Sequence, residues 1–226
     1  MNLDHQIDYW NRMGPGKPFG HPVNVERLRQ HLSPGSRVLD LGCGYGRVLG
    51  LLFDEGYQNL IGLDPAPAMI ALARERFPAI EFAELTSAPD LPLPDTSVDA
   101  TIMFSVLTCV PTDEGQRAIV NEVRRVLKPA GLLYISDLWL QNDPRNLERY
   151  VRDQPKYGAY GVFHLPEGVT VRHHDPRWIE ELTQEFATIA LDDLDVRTMN
   201  GNSAKAFQWF GQKPDREGGQ IAYYPT

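Results

Sequence analysis

The stretch Val38-Leu39-Asp40-Leu41-Gly42-Cys43-Gly44-Tyr45-Gly46-Arg47 constrains this chain more than any other. An apolar strand signal ends in a glycine-rich turn and runs directly into a helical pattern. Glycine takes a positive φ without steric cost and lets a ligand touch the main chain. Such a turn is expected to expose N–H groups around the first turn of the helix. Ordinary strand–helix corners also carry glycines, so spacing has to decide. The dinucleotide fingerprint G-x-G-x-x-G lays a pyrophosphate on the helix N-terminus. Here a single residue separates the last two glycines, and a carboxylate, Asp40, precedes the first. That carboxylate would repel a pyrophosphate, but it can accept a hydrogen bond from an ammonium group. A zwitterionic, phosphate-free ligand fits the turn, and an NAD-dependent oxidoreductase does not.

The surrounding pattern alternates short apolar runs with helical ones. Strands are expected at 37–41, 59–63, 80–84, 98–104 and 132–137, with Pro129-Ala130-Gly131 as a turn before the last. Helices are expected at 23–31, 47–55, 66–77 and 113–127. Nearly continuous apolar strands in β–α alternation argue for a parallel sheet covered on both faces, with its ligand at the carboxyl ends of the strands. The alternation stops after Asp137. Residues 138–175 are rich in Pro, Tyr, His and charge and show no clear period, which marks them as a lid or binding insertion. A helix at 176–186 and strands near 188–196 and 204–212 follow, the strands joined by Asn200-Gly201-Asn202 as an antiparallel hairpin. The tail after Pro214 carries no readable pattern. One domain is expected: an N-terminal cover (1–32), a ligand-binding core (33–137), the lid (138–175) and a C-terminal helix and hairpin (176–226).

A second acid, Asp64, ends the second strand in Ile61-Gly62-Leu63-Asp64-Pro65. A carboxylate there can accept both hydroxyls of a ribose; capping the helix that follows is the plainer role. Charge narrows the partners. The net charge is −8 and no cluster of Lys and Arg occurs, so a phosphate-tracking surface for nucleic acid is not expected. Two cysteines without a CxxC pair or spaced histidines imply neither a disulfide framework nor a zinc site. No basic leader with an apolar run stands at the N-terminus, and no stretch approaches the ~20 apolar residues of a membrane span. The expected compartment is the cytoplasm.

At this point the chain resembles the class I S-adenosylmethionine (SAM)-dependent methyltransferase family. The resemblance runs from about Val38 to Asp137. Besides the glycine turn it includes Asp64 followed by Met69-Ile70-Ala71-Leu72-Ala73, the Leu91-Pro92-Leu93-Pro94-Asp95 stretch, and Arg124-Arg125-Val126-Leu127-Lys128-Pro129-Ala130-Gly131. The resemblance implies a Rossmann-like α/β fold, a seven-stranded, mostly parallel sheet with an antiparallel last strand and helices on both faces. SAM would be the cofactor. Asp40, Gly42 and Gly44 would lie by its methionine moiety, Asp64 on the ribose, and Pro65 or Met69 beside adenine. Phe104-Ser105-Val106-Leu107 would form a floor near the sulfonium, and Trp10 would cover it. The family often carries an acid for the adenine amino group just before the Leu-Pro stretch; here Ser87 stands there, next to Ala88.

Methyl transfer from a sulfonium needs chiefly in-line positioning, and a base only if the nucleophile arrives protonated. Family members acting on DNA amines or protein glutamine often carry an Asn/Asp-Pro-Pro-aromatic tetrapeptide after the fourth strand. Its absence here points to a small-molecule acceptor, methylated on N or O. Tyr9, His21, His164 and His174 are the candidate catalytic residues; His173 is a further base, and Arg12 can pair with the cofactor carboxylate. Each histidine taken alone is more often a surface or helix-capping residue. His173-His174-Asp175 does not suit a metal, because adjacent histidines cannot easily face one ion, and no metal is expected. Tyr157, Tyr160 and Phe163 read as pocket wall or lid packing, Asn200 and Asn202 as turn formers. Two other classes fit the same core. One is a SAM-consuming cyclase of the azetidine-2-carboxylate synthase type, with SAM alone as substrate and methylthioadenosine released. The other is a non-catalytic SAM-binding module.

Overall fold

The computed structural model describes residues 6–215. Met1–His5 and the end of the expected C-terminal unit (216–226) lie outside the described residues. Helix α1 (Ile7–Met13) leads through a short turn to α2 (Val25–His31), whose cap Asn24 accepts the Arg27 N–H through its side chain. The alternating core follows: β1 (Arg37–Leu41), α3 (Arg47–Asp54), β2 (Asn59–Asp64), α4 (Pro67–Arg76), β3 (Glu81–Glu84), β4 (Val98–Phe104), α5 (Asp113–Val126) and β5 (Leu127–Leu138). Then come α6 (Pro144–Tyr157), a small hairpin of β6 (Val162–His164) and β7 (Thr170–Arg172), α7 (Pro176–Leu182), β8 (Ala187–Arg197) and β9 (Ser203–Gln212).

Seven strands form one sheet in the order β3-β2-β1-β4-β5-β9-β8. The first five are parallel, and β9 runs antiparallel to both β5 and β8. Strand order reverses at β1 and β4, so the crevice for a ligand opens where β1 ends. Successive residues of a strand face opposite sides, and both sides are apolar here. Leu39, Ile61, Met103 and Ile135 pack beneath α5 and α7, while Val38, Leu60, Ile102 and Tyr134 pack beneath α2, α3 and α4. On α5, Val120, Val123 and Val126 repeat at helical spacing and are buried, each burial contributing about 1.5–3 kcal/mol.

The seven strands and their directions agree with the expected class. Three details differ. Pro129-Ala130-Gly131 is no free turn: β5 starts at Leu127 and carries an irregularity there, with Ala130 at φ 60° and a register shift against β4 between Val98 and Ala100. Helix α7 stops at Leu182, four residues early, with Thr183 as its C-cap and the Thr183 hydroxyl donating to the Ile179 carbonyl. The segment 138–175 holds the two-strand hairpin and a full helix, α6, capped by Asp143 with Pro144 in its first turn and closed by Gly158 at φ 74°. Among the described residues no helix is long and apolar enough to cross a membrane.

Candidate active site

The turn between β1 and α3 is built on positive φ angles: 71° at Gly42, 54° at Gly44 and 82° at Gly46. A Cβ on Gly42 would stand 2.7 Å from Val106 Cγ2, so that glycine also serves close approach to the loop after β4. Four N–H groups of the loop itself are engaged within the protein. Gly42 and Cys43 donate to the Leu63 carbonyl, Gly44 to Asp64 Oδ2 at 2.9 Å and Gly46 to the Cys43 carbonyl. These bonds fix the shape of the loop, and the amides of the first turn of α3, Arg47 to Leu49, have no acceptor among them.

Two carboxylates sit beside the turn. Asp40 is 1% exposed, and its Oδ2 has no hydrogen-bond partner in the protein. Burial pushes its pKa up to about 8; the nearby Arg47 opposes the shift and Asp64 adds to it. Asp64 accepts Gly44 N–H on Oδ2 and Ala66 N–H on Oδ1, so it braces both turns at the strand ends. Burial raises its pKa to about 6 against those two hydrogen bonds. The capping position of α4 itself belongs to Ala66.

Both acids open on one cavity of about 260 Å³. Trp10, Gly42, Gly44, Pro65, Met69, Ala88 and Phe104 line it as well. An aromatic chain leads from the N-terminal segment to the turn, Trp10 against Phe19 at 6.5 Å and Phe19 against Tyr45 at 5.4 Å between ring centres. Helix α1 is held on α4, where Asn11 Oδ1 accepts the Ala68 N–H. Two of the residues expected on the cofactor fall outside the wall. Ser87 is exposed to solvent, and Leu107 is fully buried in the core beneath α5, beyond reach of the cavity.

The expected catalytic residues divide more sharply. His21 lines the cavity, its Nδ1 2.8 Å from Ser136 Oγ, and burial followed by the Arg47 charge lowers its pKa to about 4. Tyr9 is 4% exposed and packs edge-on to Trp10 without reaching the wall; burial raises its pKa to about 12. His164 is solvent-exposed on β6, with Nδ1 3.2 Å from Thr170 Oγ1. His174 is fully buried and both its ring nitrogens are engaged: Nδ1 meets the Leu138 carbonyl at 3.1 Å, Nε2 the Gln116 amide at 3.0 Å. Neither His164 nor His174 touches the cavity, and Arg12 does not either. His173, next to His174 in sequence, does line it.

The cavity also meets residues that sequence reasoning left unassigned, Arg145, Asn146 and Arg149 on α6 and Arg197 and Thr198 at the end of β8. The spacing of Arg145 and Arg149 follows at once from a helix starting at Pro144, whose signal was the Asp143-Pro144 pair. Among the described residues no three His, Cys, Asp or Glu side chains are placed to share a metal ion.

Comparison with known proteins bears on this geometry. Residues 39–135 match the methyltransferase domain. A probable S-adenosylmethionine-dependent methyltransferase of Mycolicibacterium smegmatis is 36% identical over 129 residues, 57% of this chain but only 45% of that protein. An uncharacterized methyltransferase of Mycobacterium tuberculosis is 35% identical over 186 residues, 79% of this chain and 70% of its own length. A crystal structure of a SAM-dependent methyltransferase from Methanosarcina mazei superposes with a TM-score of 0.79 at 25% identity, over 85% of this chain and 98% of that one. With sheet order, glycine turn and these likenesses in agreement, the chain belongs to the class I SAM-dependent methyltransferase family.

Proposed function

We propose that this chain transfers the methyl group of SAM to a nitrogen or oxygen of a small metabolite in the cytoplasm. The observation that carries the reading is the unpartnered Asp40 oxygen, buried beside the glycine turn in a cavity that extends past the strand ends to α6 and β8. A buried carboxylate oxygen without a donor is costly, and an ammonium group offsets that cost. Asp40 would hold the amino group of SAM, and the free lone pairs of Asp64 the ribose hydroxyls. Pro65 and Met69 would flank adenine, with Ala88 on the wall where Ser87 was expected. When bound, SAM supplies a methyl group on a cationic sulfur that leaves as a neutral thioether. Trp10 and Phe104 would favour that cation through their ring faces.

His21 is the base this cavity offers to a protonated acceptor. In the tautomer that donates Nδ1–H to Ser136 Oγ, Nε2 keeps a lone pair, and a pKa of about 4 leaves the ring unprotonated at neutral pH. The cavity's reach beyond the residues that would hold SAM supports a second substrate, and the charge of −8 supports a small molecule over nucleic acid. The products decide. Purified protein is incubated with SAM alone and with SAM plus a small-molecule extract. S-adenosylhomocysteine that forms only with the extract is the expected result. Methylthioadenosine without the extract would assign intramolecular cyclisation instead, and neither product would leave a binding module.

A further inference from the structure

The wall that α6 and the hairpin of β6 and β7 contribute to the cavity sets hydrogen-bond donors among apolar side chains. Arg145 and Arg149 stand four residues apart on α6 and share a face. Arg149 is half-buried, with its guanidinium 5.4 Å from the centre of the Phe163 ring. Its hydrogen bond, to Asn146 Oδ1, is long at 3.4 Å, and no carboxylate pairs with it. Arg152, by contrast, is paired with Asp153 at 2.7 Å, and Arg145 keeps a loose 3.8 Å contact to Asp143. Burial, Arg145 and Arg152 push the Arg149 pKa downward, and the Asp143 charge opposes them only in part.

His173 adds a donor of fixed sense. The Tyr150 hydroxyl accepts the Gln141 N–H at 3.0 Å and lies 2.5 Å from His173 Nδ1. Buried as it is, the hydroxyl must place its own proton, and Nδ1 is the acceptor within reach. Nδ1 therefore accepts, Nε2 carries the hydrogen, and burial holds the ring neutral by lowering its pKa to about 3. His173 is among the residues lining the cavity, and the free nitrogen of its ring is a donor. Among the described residues of the wall the carboxylates are Asp40 and Asp64, at the ends of β1 and β2. Between the donors the wall is apolar: Phe163, Leu165, Val171 and Met199.

We propose that the acceptor is a small carboxylate with an apolar body, its carboxylate received by Arg149, with Arg145 beside it and the Nε2–H of His173. The assignment rests on the methyl-transfer reading, since it names that reaction's second substrate. A guanidinium facing a carboxylate makes a charge-assisted pair, and a half-buried arginine on a cavity wall with no such partner offers a place for one. The cofactor's own carboxylate has the same chemistry, and the test separates the two.

Protein is first titrated with S-adenosylhomocysteine, and the saturated protein is then titrated with benzoate, cinnamate and hexanoate and with their primary amides. The expected result is at least one acid binding about tenfold more tightly than its amide, the preference vanishing in Arg149→Gln and partly returning in Arg149→Lys. Affinity for S-adenosylhomocysteine should stay within about twofold across these variants. Acids and amides that bind alike, or none binding, would overturn the proposal. So would an Arg149→Gln protein that loses S-adenosylhomocysteine, for its guanidinium would then serve the cofactor. Wild-type protein that fails to bind S-adenosylhomocysteine would remove the methyl-transfer reading itself, a different and separately visible failure. Far-ultraviolet circular dichroism of each variant establishes that the fold persists.

Discussion

Asp40 shows how one atom can carry a functional reading. Its Oδ2 is shut off from water and from every protein donor, and burial moves its pKa from 3.8 to about 8. At pH 7 the ligand-free carboxyl therefore holds its proton. An ammonium group arriving beside it favours the ionised form, so binding must expel that proton. Calorimetric titration of SAM at pH 7, in buffers of differing ionisation enthalpy, should show release approaching one proton per molecule bound. Asp40→Asn should abolish the release and weaken binding about tenfold or more, as expected for a lost charge-assisted hydrogen bond. A binding enthalpy indifferent to buffer would mean that Asp40 is not where the ammonium sits.

At the scale of elements, the glycine turn was readable because its chemistry is local, while the wall opposite was not. The strands β1, β2 and β4 are buried on both faces and so spell continuous apolar runs. Helix α6 inverts the usual pattern. Its apolar Leu147 and Val151 are 40% and 67% exposed, whereas Asn146, Tyr150 and Asp153 are buried. Hydrophobic periodicity read over that stretch points the wrong face inward, and only the Asp143-Pro144 start and Gly158 stop betray the helix. The roles of His164, His173 and His174 were equally illegible, because three residues of like chemistry differ only in which partners the tertiary fold supplies. Gly42 was legible as a glycine and illegible in its partner, Val106. Gly42→Ala meets both a φ of 71° and a 2.7 Å contact, and should cost about 2–4 kcal/mol in urea unfolding. Adding Val106→Ala should return the steric share and leave the backbone share. Equal stabilities of the single and double variants would show that the loop after β4 does not constrain the turn.

Across the whole molecule, buried groups of both signs set how stability follows pH. His21, His173 and His174 have pKa values lowered to about 4, 3 and 3 by burial. They contribute stability that is present above their unfolded value of 6.5 and lost as pH falls toward 4, because the unfolded chain binds protons that the folded one refuses. Asp40, Asp64 and Asp137 have pKa values raised to about 8, 6 and 7, again chiefly by burial. Their contribution is full below the unfolded value of 3.8 and is lost as pH rises through those folded values. Between pH 4.5 and 6 the two sets nearly cancel. Above 6.5 the unfolded histidines lose their remaining protons, nearly all by about pH 7.5, while Asp137 and Asp40 still release protons on unfolding and outweigh them. Ligand-free protein should therefore lose about 2 kcal/mol from pH 6.5 to 8.5, a fall in Tm of roughly 4–8 °C. Asp40→Asn removes the group with the highest folded pKa and should flatten most of that limb. Saturating S-adenosylhomocysteine should do the same, because its ammonium already holds Asp40 ionised. Thermal scans of the three samples across this range check the point, and an Asp40→Asn limb as steep as the wild type's would place the titrating group elsewhere.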